Sequence, residues 1–379
     1  VIEISRGMDR RRFIKAALAS VGVGGLAYLG YDLVRHSSSV VGSQVTPPQG
    51  EYEFIGELLA RHVVVYEKSG LYYAVNWRGE RLCFNSATAC IQDAVCYVAN
   101  DCLSNSGNCR IGIIIKPGVY EISEPIDFRG CLSPYAPYYN FLNINSEPGS
   151  VIQASPSFSA SGASAMVVLS PSAGAQIYLS KISLPYINAS GAGNVNGLVM
   201  AQVNDSVVNL PGVSYAAKAG VVINEGGNPN NYPSIVGLPT AGFFNNIVTI
   251  GIITFNNDGL VTLGNSKTPL GVQANTFIIQ HIYGNKRGIV LDENGNGSAL
   301  NSMWNQFVIN VVEHNSELGI LDNSGGNIFR VNNANTNPHG TDFIESSSVI
   351  MGSYVIGYLA DGYTLRRRLS RVINLWPTS

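Results

Sequence analysis

Apolar residues in this chain fall in short runs with strand-like alternation, and two of those runs are near-copies of each other. Asn275-Thr276-Phe277-Ile278-Ile279 begins a segment that closes at Asp292; Asn305-Gln306-Phe307-Val308-Ile309 begins one that closes at Asp322; Asn245 opens a third, weaker copy. The three asparagines recur every thirty residues. A fixed period of that size marks stacked structural units, none of which can bury its apolar face alone. A second phrase, a glycine followed by two aliphatic residues, recurs at Gly197, Gly220, Gly259, Gly288 and Gly319, with spacings of 23, 39, 29 and 31 residues. These spacings predict rungs of one size with loops inserted at some corners, Asn224 to Thr240 being one such loop.

Ahead of the repeats, Val63–Tyr66 and Leu71–Val75 flank Glu67-Lys68-Ser69-Gly70 and predict a hairpin. Asn85, Ser86 and Thr88 supply capping chemistry just before Ile91, Ala94, Val95 and Val98, which share one helical face, so a short amphipathic helix is expected next. Ile111 to Ile115 reads as a buried strand, Lys116-Pro117-Gly118 as a turn, and Val119–Ile122 with Pro125–Phe128 as two further strands. The fold class expected is all-β.

Composition narrows the function. There are 41 glycines, 13% charged residues and a net charge of −2, a balance suited to tight turns and unsuited to binding phosphate backbones, so no nucleic-acid partner is expected. All six cysteines, Cys83, Cys90, Cys96, Cys102, Cys109 and Cys131, lie in one short region, which reads as a local disulfide framework in an exported protein whose pairing sequence leaves open. No Cys-x-x-Cys pair is present, which argues against zinc.

The N-terminus reads as an address. Arg10-Arg11-Arg12-Phe13-Ile14-Lys15 and the uncharged run Ala16 to Tyr31 resemble a twin-arginine export signal, with Asp9 where that signal usually carries Ser or Thr. The run is shorter than the ~20 residues that span a bilayer comfortably. Residues 1–35 are therefore expected to be a signal or anchor and the only membrane contact; 36–60 form a linker.

Ala89-Cys90-Ile91-Gln92-Asp93-Ala94, followed by Gly112 to Lys116, Pro117-Gly118-Val119-Tyr120 and Pro125-Ile126, resembles the coil entry of pectin-lyase-like proteins. In that family a helix bearing Ile-Gln-x-Ala plugs the end of the coil and a Lys-Pro-Gly-x-Tyr turn opens its first rung. The resemblance implies a right-handed single-stranded parallel β-helix (a solenoid) with an N-terminal capping helix. Residues 61–131 would form the hairpin, helix and Cys-rich first rung, 132–355 the coil, and 356–379 a C-terminal cap or basic tail containing Arg366-Arg367-Arg368 and Arg371. Polysaccharide or a surface glycan is the partner it implies. The polygalacturonase motifs Asn-Thr-Asp, Asp-Asp, Gly-His-Gly and Arg-Ile-Lys are absent, and so is the calcium-binding Asp cluster of the pectate lyases.

Equivalent asparagines on successive rungs can satisfy one another, so Asn245, Asn275 and Asn305 are expected to be structural. Asp292 and Asp322 close the two copies. Aligned on the asparagines, they stand on neighbouring rungs ~5 Å apart, a separation suited to retaining glycoside chemistry or to a calcium ion. Aligned on Gly288 and Gly319, Leu291 takes the place beside Asp322, and a one-residue slip turns a strand side chain to the other face. Glu313-His314 sits opposite Tyr283-Gly284, with Lys286 and Arg287 nearby, an acid–base pair with room for an anionic sugar. His281, between apolar neighbours, is expected to be packed. His339-Gly340-Thr341-Asp342 is a lesser cluster, and Asn188, Asn204 and Asn296 begin glycosylation acceptors.

No cofactor is expected, calcium being the candidate ion. Two function classes follow for an exported protein, extracellular or anchored at the cell surface. One is a polysaccharide lyase or glycoside hydrolase using Asp292, Asp322, Glu313 and His314 for catalysis and Tyr283, Lys286 and Arg287 for substrate. The other is a non-catalytic surface, adhesion or virion-type structural coil. Homo-oligomers are compatible with both.

Overall fold

The computed structural model describes residues 61–104, 111–132, 139–140, 142–160, 164–171, 176–224, 242–263, 271–291, 302–345, 352–365 and 371–375. The N-terminal segment, residues 225–240, Asp292, Asn296, Arg366–Arg368, Cys109 and the side chain of Cys102 lie outside them. Among the described residues the protein is an all-β parallel solenoid. One long sheet of 16 strands, a second of 9 and a third of 5 run side by side, each built from strands of successive rungs.

A rung repeats one plan, which the repeat first seen in the sequence displays. Val272–Gln273 lies in the third sheet, Thr276–Tyr283 in the long sheet and Arg287–Leu291 in the second. The next rung places Gln306–Glu313 against Thr276–Tyr283 and Leu318–Asp322 against Arg287–Leu291, all parallel. The long strands do not alternate strictly. Phe277, Ile279 and Ile282 point into the core, as do Phe307, Ile309 and Val312, and Phe329, Val331 and Ala334, so the inward step is two residues and then three. The extra residue bends each strand and leaves two consecutive side chains outward, Gln280 and His281 in this rung. Inside the coil, Phe277, Phe307 and Phe329 stack with ring centroids 4.8 Å apart, one column of the continuous apolar core.

Two corners of the later rungs are held together by buried asparagines. At the first, Asn246, Asn275, Asn305 and Asn327 form a ladder. The backbone N–H and Nδ2 of each donate to Oδ1 of the next, at 3.0 to 3.1 Å. Nδ2 also donates to a carbonyl of the rung before, as Asn275 does to Phe243 at 2.9 Å, so every side-chain amide hydrogen and lone pair along the middle of the ladder is used. Asn256, Asn285, Asn315 and Asn337 repeat the arrangement at the second corner. The asparagine expected at 245 is displaced by one: Ile247 pairs with Thr276, which sets Asn246 opposite Asn275, while Asn245 is exposed with φ 56°.

The glycine phrase is also a spatial column. Leu198, Val221, Leu260, Ile289 and Ile320 follow one another in register, which aligns Gly197, Gly220, Gly259, Gly288 and Gly319. A Cβ on Gly259 would stand 2.3 Å from the Gly288 carbonyl oxygen, and one on Gly288 2.3 Å from that of Gly319. The rungs approach too closely here for any side chain.

At the N-terminal end, His62–Lys68 and Leu71–Val75 form the expected hairpin. Its turn residues Ser69 and Gly70 have φ of 57° and 78°, the two positive values of a tight type I′ turn. His62–Lys68 then pairs in parallel with Gly112–Ile115, so the hairpin continues the long sheet. The helix spans Ala87–Ser104, 18 residues rather than a short element. Ser86 caps it, its Oγ accepting from Ala89 N–H at 3.2 Å. Ile91, Val95 and Val98 join the core, and Gln92 Nε2 donates to the Asp127 carbonyl. Disulfides Cys83–Cys90 and Cys96–Cys131 fasten the helix to the strand Arg81–Phe84, which pairs with the hairpin, and to the first rung.

Candidate functional site

Asp292 lies outside the described residues, and the rung position beside Asp322 is taken by Leu291. The glycine alignment is therefore the one the coil adopts. Asp322 is fully buried and accepts four hydrogen bonds, from Ser324 N–H and Oγ, Gly325 N–H and Ser353 Oγ, at 2.7 to 3.0 Å. It organises a turn and offers nothing to a substrate. Among the described residues no group of three His, Cys, Asp or Glu side chains could hold a metal ion.

Glu313 does lie opposite Tyr283, as the repeat predicts, but its partner is His281 rather than His314. His281 Nε2 and Glu313 Oε1 are 2.9 Å apart, with the side chains 36% and 24% exposed. Sequence reasoning placed His281 in the core because it assumed strict alternation. The bend that follows Ile279 turns the imidazole outward, and that extra residue was visible as the two-then-three spacing of apolar positions in each copy.

Around this pair the second corner carries rings. Tyr215 and Phe255 stack at 5.3 Å, Phe255 meets Tyr283 edge-on at 5.4 Å, and Tyr283 meets His314 at 5.2 Å and His281 at 5.6 Å. Tyr215, Phe255, Gly284 and His314 are equivalent corner positions, all with φ between 55° and 66°. A Cβ on Gly284 would lie 2.8 Å from Phe255 Cε1, so the glycine makes room for that ring.

The cations expected to receive an anionic sugar are otherwise engaged. Arg287 Nε and Nη2 donate to both oxygens of the buried Asp258, at 2.5 and 2.7 Å. Lys286 pairs with Glu317 at 3.1 Å on the surface. In the lesser cluster, Asp342 is buried and accepts from Asn337 Nδ2 and Asp361 N–H, both at 2.7 Å, which ends the second asparagine ladder; burial pushes its carboxyl above the usual range. Of the glycosylation acceptors, Asn204 is fully buried and bonded to Gln176 and Phe244, so it cannot carry a glycan.

The chain is thus a parallel β-solenoid with an outward His–Glu pair set in an aromatic corner. No protein-family model, curated protein or solved structure matches it. No described helix is long and apolar enough to cross a membrane.

Proposed function

We propose that this is an exported right-handed β-helix, closed at its N-terminal end by the Ala87–Ser104 helix, that engages polysaccharide at its second corner. The observation that carries the reading is the His281–Glu313 contact at 2.9 Å beside the Tyr283 ring, a proton-handling pair next to an aromatic surface on neighbouring rungs. His281 would take or give a proton at the sugar while Glu313 orients the imidazole. With Asp322 withdrawn into a turn, the paired carboxylates of a retaining glycosidase are not assembled, and the pair suits proton abstraction, as in a lyase. The twin-arginine-type segment and the two disulfides support export.

The buried, fully bonded Asp322 also favours a second reading, a surface protein that binds glycan without cleaving it. Purified full-length chain, incubated with a panel of polysaccharides, separates the two. Binding by affinity electrophoresis is expected, and binding to no polymer rejects the proposal. If the chain is a lyase, unsaturated products appear and His281→Ala abolishes them while binding persists. Binding without products assigns the non-catalytic reading.

A further inference from the structure

The two asparagine corners have the same backbone and different side chains, and that contrast carries information about a ligand. The residue before each ladder position has positive φ at both corners. At the first corner these residues are Leu179, Asp205, Asn245, Ala274, Trp304 and Gly326, a mixture with a single aromatic residue. At the second they are Tyr215, Phe255, Gly284, His314 and Thr336, with Tyr283 filling the place beside the glycine. Tyr215 and Phe255 are 51% and 46% exposed, so their rings add little to the core. An aromatic residue in the left-handed region is strained by roughly 1–2 kcal/mol relative to extended backbone. A row of rings along this corner, three of them at such positions, calls for an occupant.

Resting on the second reading above, a surface protein that binds glycan without cleaving it, we infer that Tyr215, Phe255, Tyr283 and His314 form a stacking track for a neutral pyranose polymer lying along successive rungs. Ring planes turn from 19° between Tyr215 and Phe255 to 84° between Phe255 and Tyr283, so the row offers both edges and faces to the C–H surfaces of sugars. Hydroxyl partners are at hand in His281 and Glu313. Charge selects the neutral class. Arg287 is committed to Asp258 and Lys286 to Glu317, and Glu313 beside the track is itself an acid. A polyanion would meet no cationic row, whereas a neutral chain pays no desolvation of unpaired charge.

The test uses full-length chain, soluble neutral polysaccharides (a β-glucan, a mannan and a xylan) and two polyanions (polygalacturonate and alginate), with affinities read by calorimetry at low and high salt. At least one neutral polymer should bind with little salt dependence. Phe255→Ala and Tyr215→Ala should each weaken binding tenfold or more with an unchanged thermal midpoint, while Trp304→Ala, at the other corner, should bind as wild type does. Wild-type binding to a neutral polymer that survives both ring deletions removes the track but leaves the polysaccharide reading standing. Salt-sensitive binding to the polyanions alone overturns the neutral class. Binding to none of the polymers overturns both.

Discussion

Replacing Asn246 by alanine removes three hydrogen bonds: Ser206 N–H to Oδ1 at 3.0 Å, Nδ2 to the Val203 carbonyl at 2.6 Å, and Nδ2 to Asn275 Oδ1 at 3.0 Å. All three are buried, so water cannot replace them without opening the corner. A buried hydrogen bond is worth ~1 kcal/mol net, and an orphaned buried N–H, here that of Ser206, adds a further ~1 kcal/mol or more. The expected loss is therefore ~4 kcal/mol. For the roughly 250 described residues at ~2.1 cal/mol/K each, the unfolding entropy is ~0.5 kcal/mol/K, and the thermal midpoint should fall by roughly 8 °C. Asn245 is the control. It is exposed, its backbone is already left-handed, and Asn245→Gly should change stability by less than ~0.5 kcal/mol. Thermal unfolding gives the totals, and amide exchange at Ser206 locates the damage. Equal losses for the two variants, or continued protection of the Ser206 amide in Asn246→Ala, would refute the ladder register.

Three further outcomes follow from the same geometry. Gly288→Ala should cost ~3 kcal/mol in thermal or denaturant unfolding, because its Cβ would meet the Gly319 carbonyl at 2.3 Å, whereas Gly130→Ala, with nothing within 4 Å, should be nearly neutral. Arg287→Ala should cost ~3 kcal/mol by leaving the Asp258 carboxylate buried without its cation, and the double variant Arg287→Met, Asp258→Leu should recover most of that loss. Burial raises the Asp342 carboxyl above its ordinary 3.8. Its stabilising contribution is therefore fully present below ~pH 4 and lost as pH rises through the folded value, and Asp342→Asn should flatten that decline in denaturant midpoints measured from acid to neutral pH.

What the sequence disclosed was whatever depends on period. The Phe277–Phe307 match, the glycine column and the opposition of Tyr283 to Glu313 all follow from laying one copy over the next, and the coil bears them out. What it hid was whatever depends on one residue of phase. Asn245 and Asn246 are identical letters, and only the pairing of Ile247 with Thr276 shows which of them is buried. Asp322 looked catalytic because the asparagine alignment was carried through Gly284–Arg287, where the next rung, His314–Leu318, has one more residue. His281 looked buried because alternation was assumed across a bend. Arg287 looked available because its partner, Asp258, lies a rung earlier and twenty-nine residues away in sequence.

The second corner combines a buried, fully bonded ladder with exposed rings, and the two properties are linked. Each buried asparagine fixes its own backbone through the next rung, so the residue before it has no freedom to relax from its left-handed conformation. The side chain at that position is held outward at the spacing of the rungs. A row of rings set this way loses little further entropy when a polymer lies across it, which is the condition under which weak stacking contacts sum to useful affinity. The same rigidity bears on the His281–Glu313 pair, whose two residues sit on adjacent strands of fixed register. A change in the ladder at Asn285 should therefore weaken glycan binding without touching a single group that contacts the sugar. Asn285→Ala that unfolds a few degrees earlier yet binds as wild type at 20 °C below its midpoint would show that the corner's stiffness serves the fold alone.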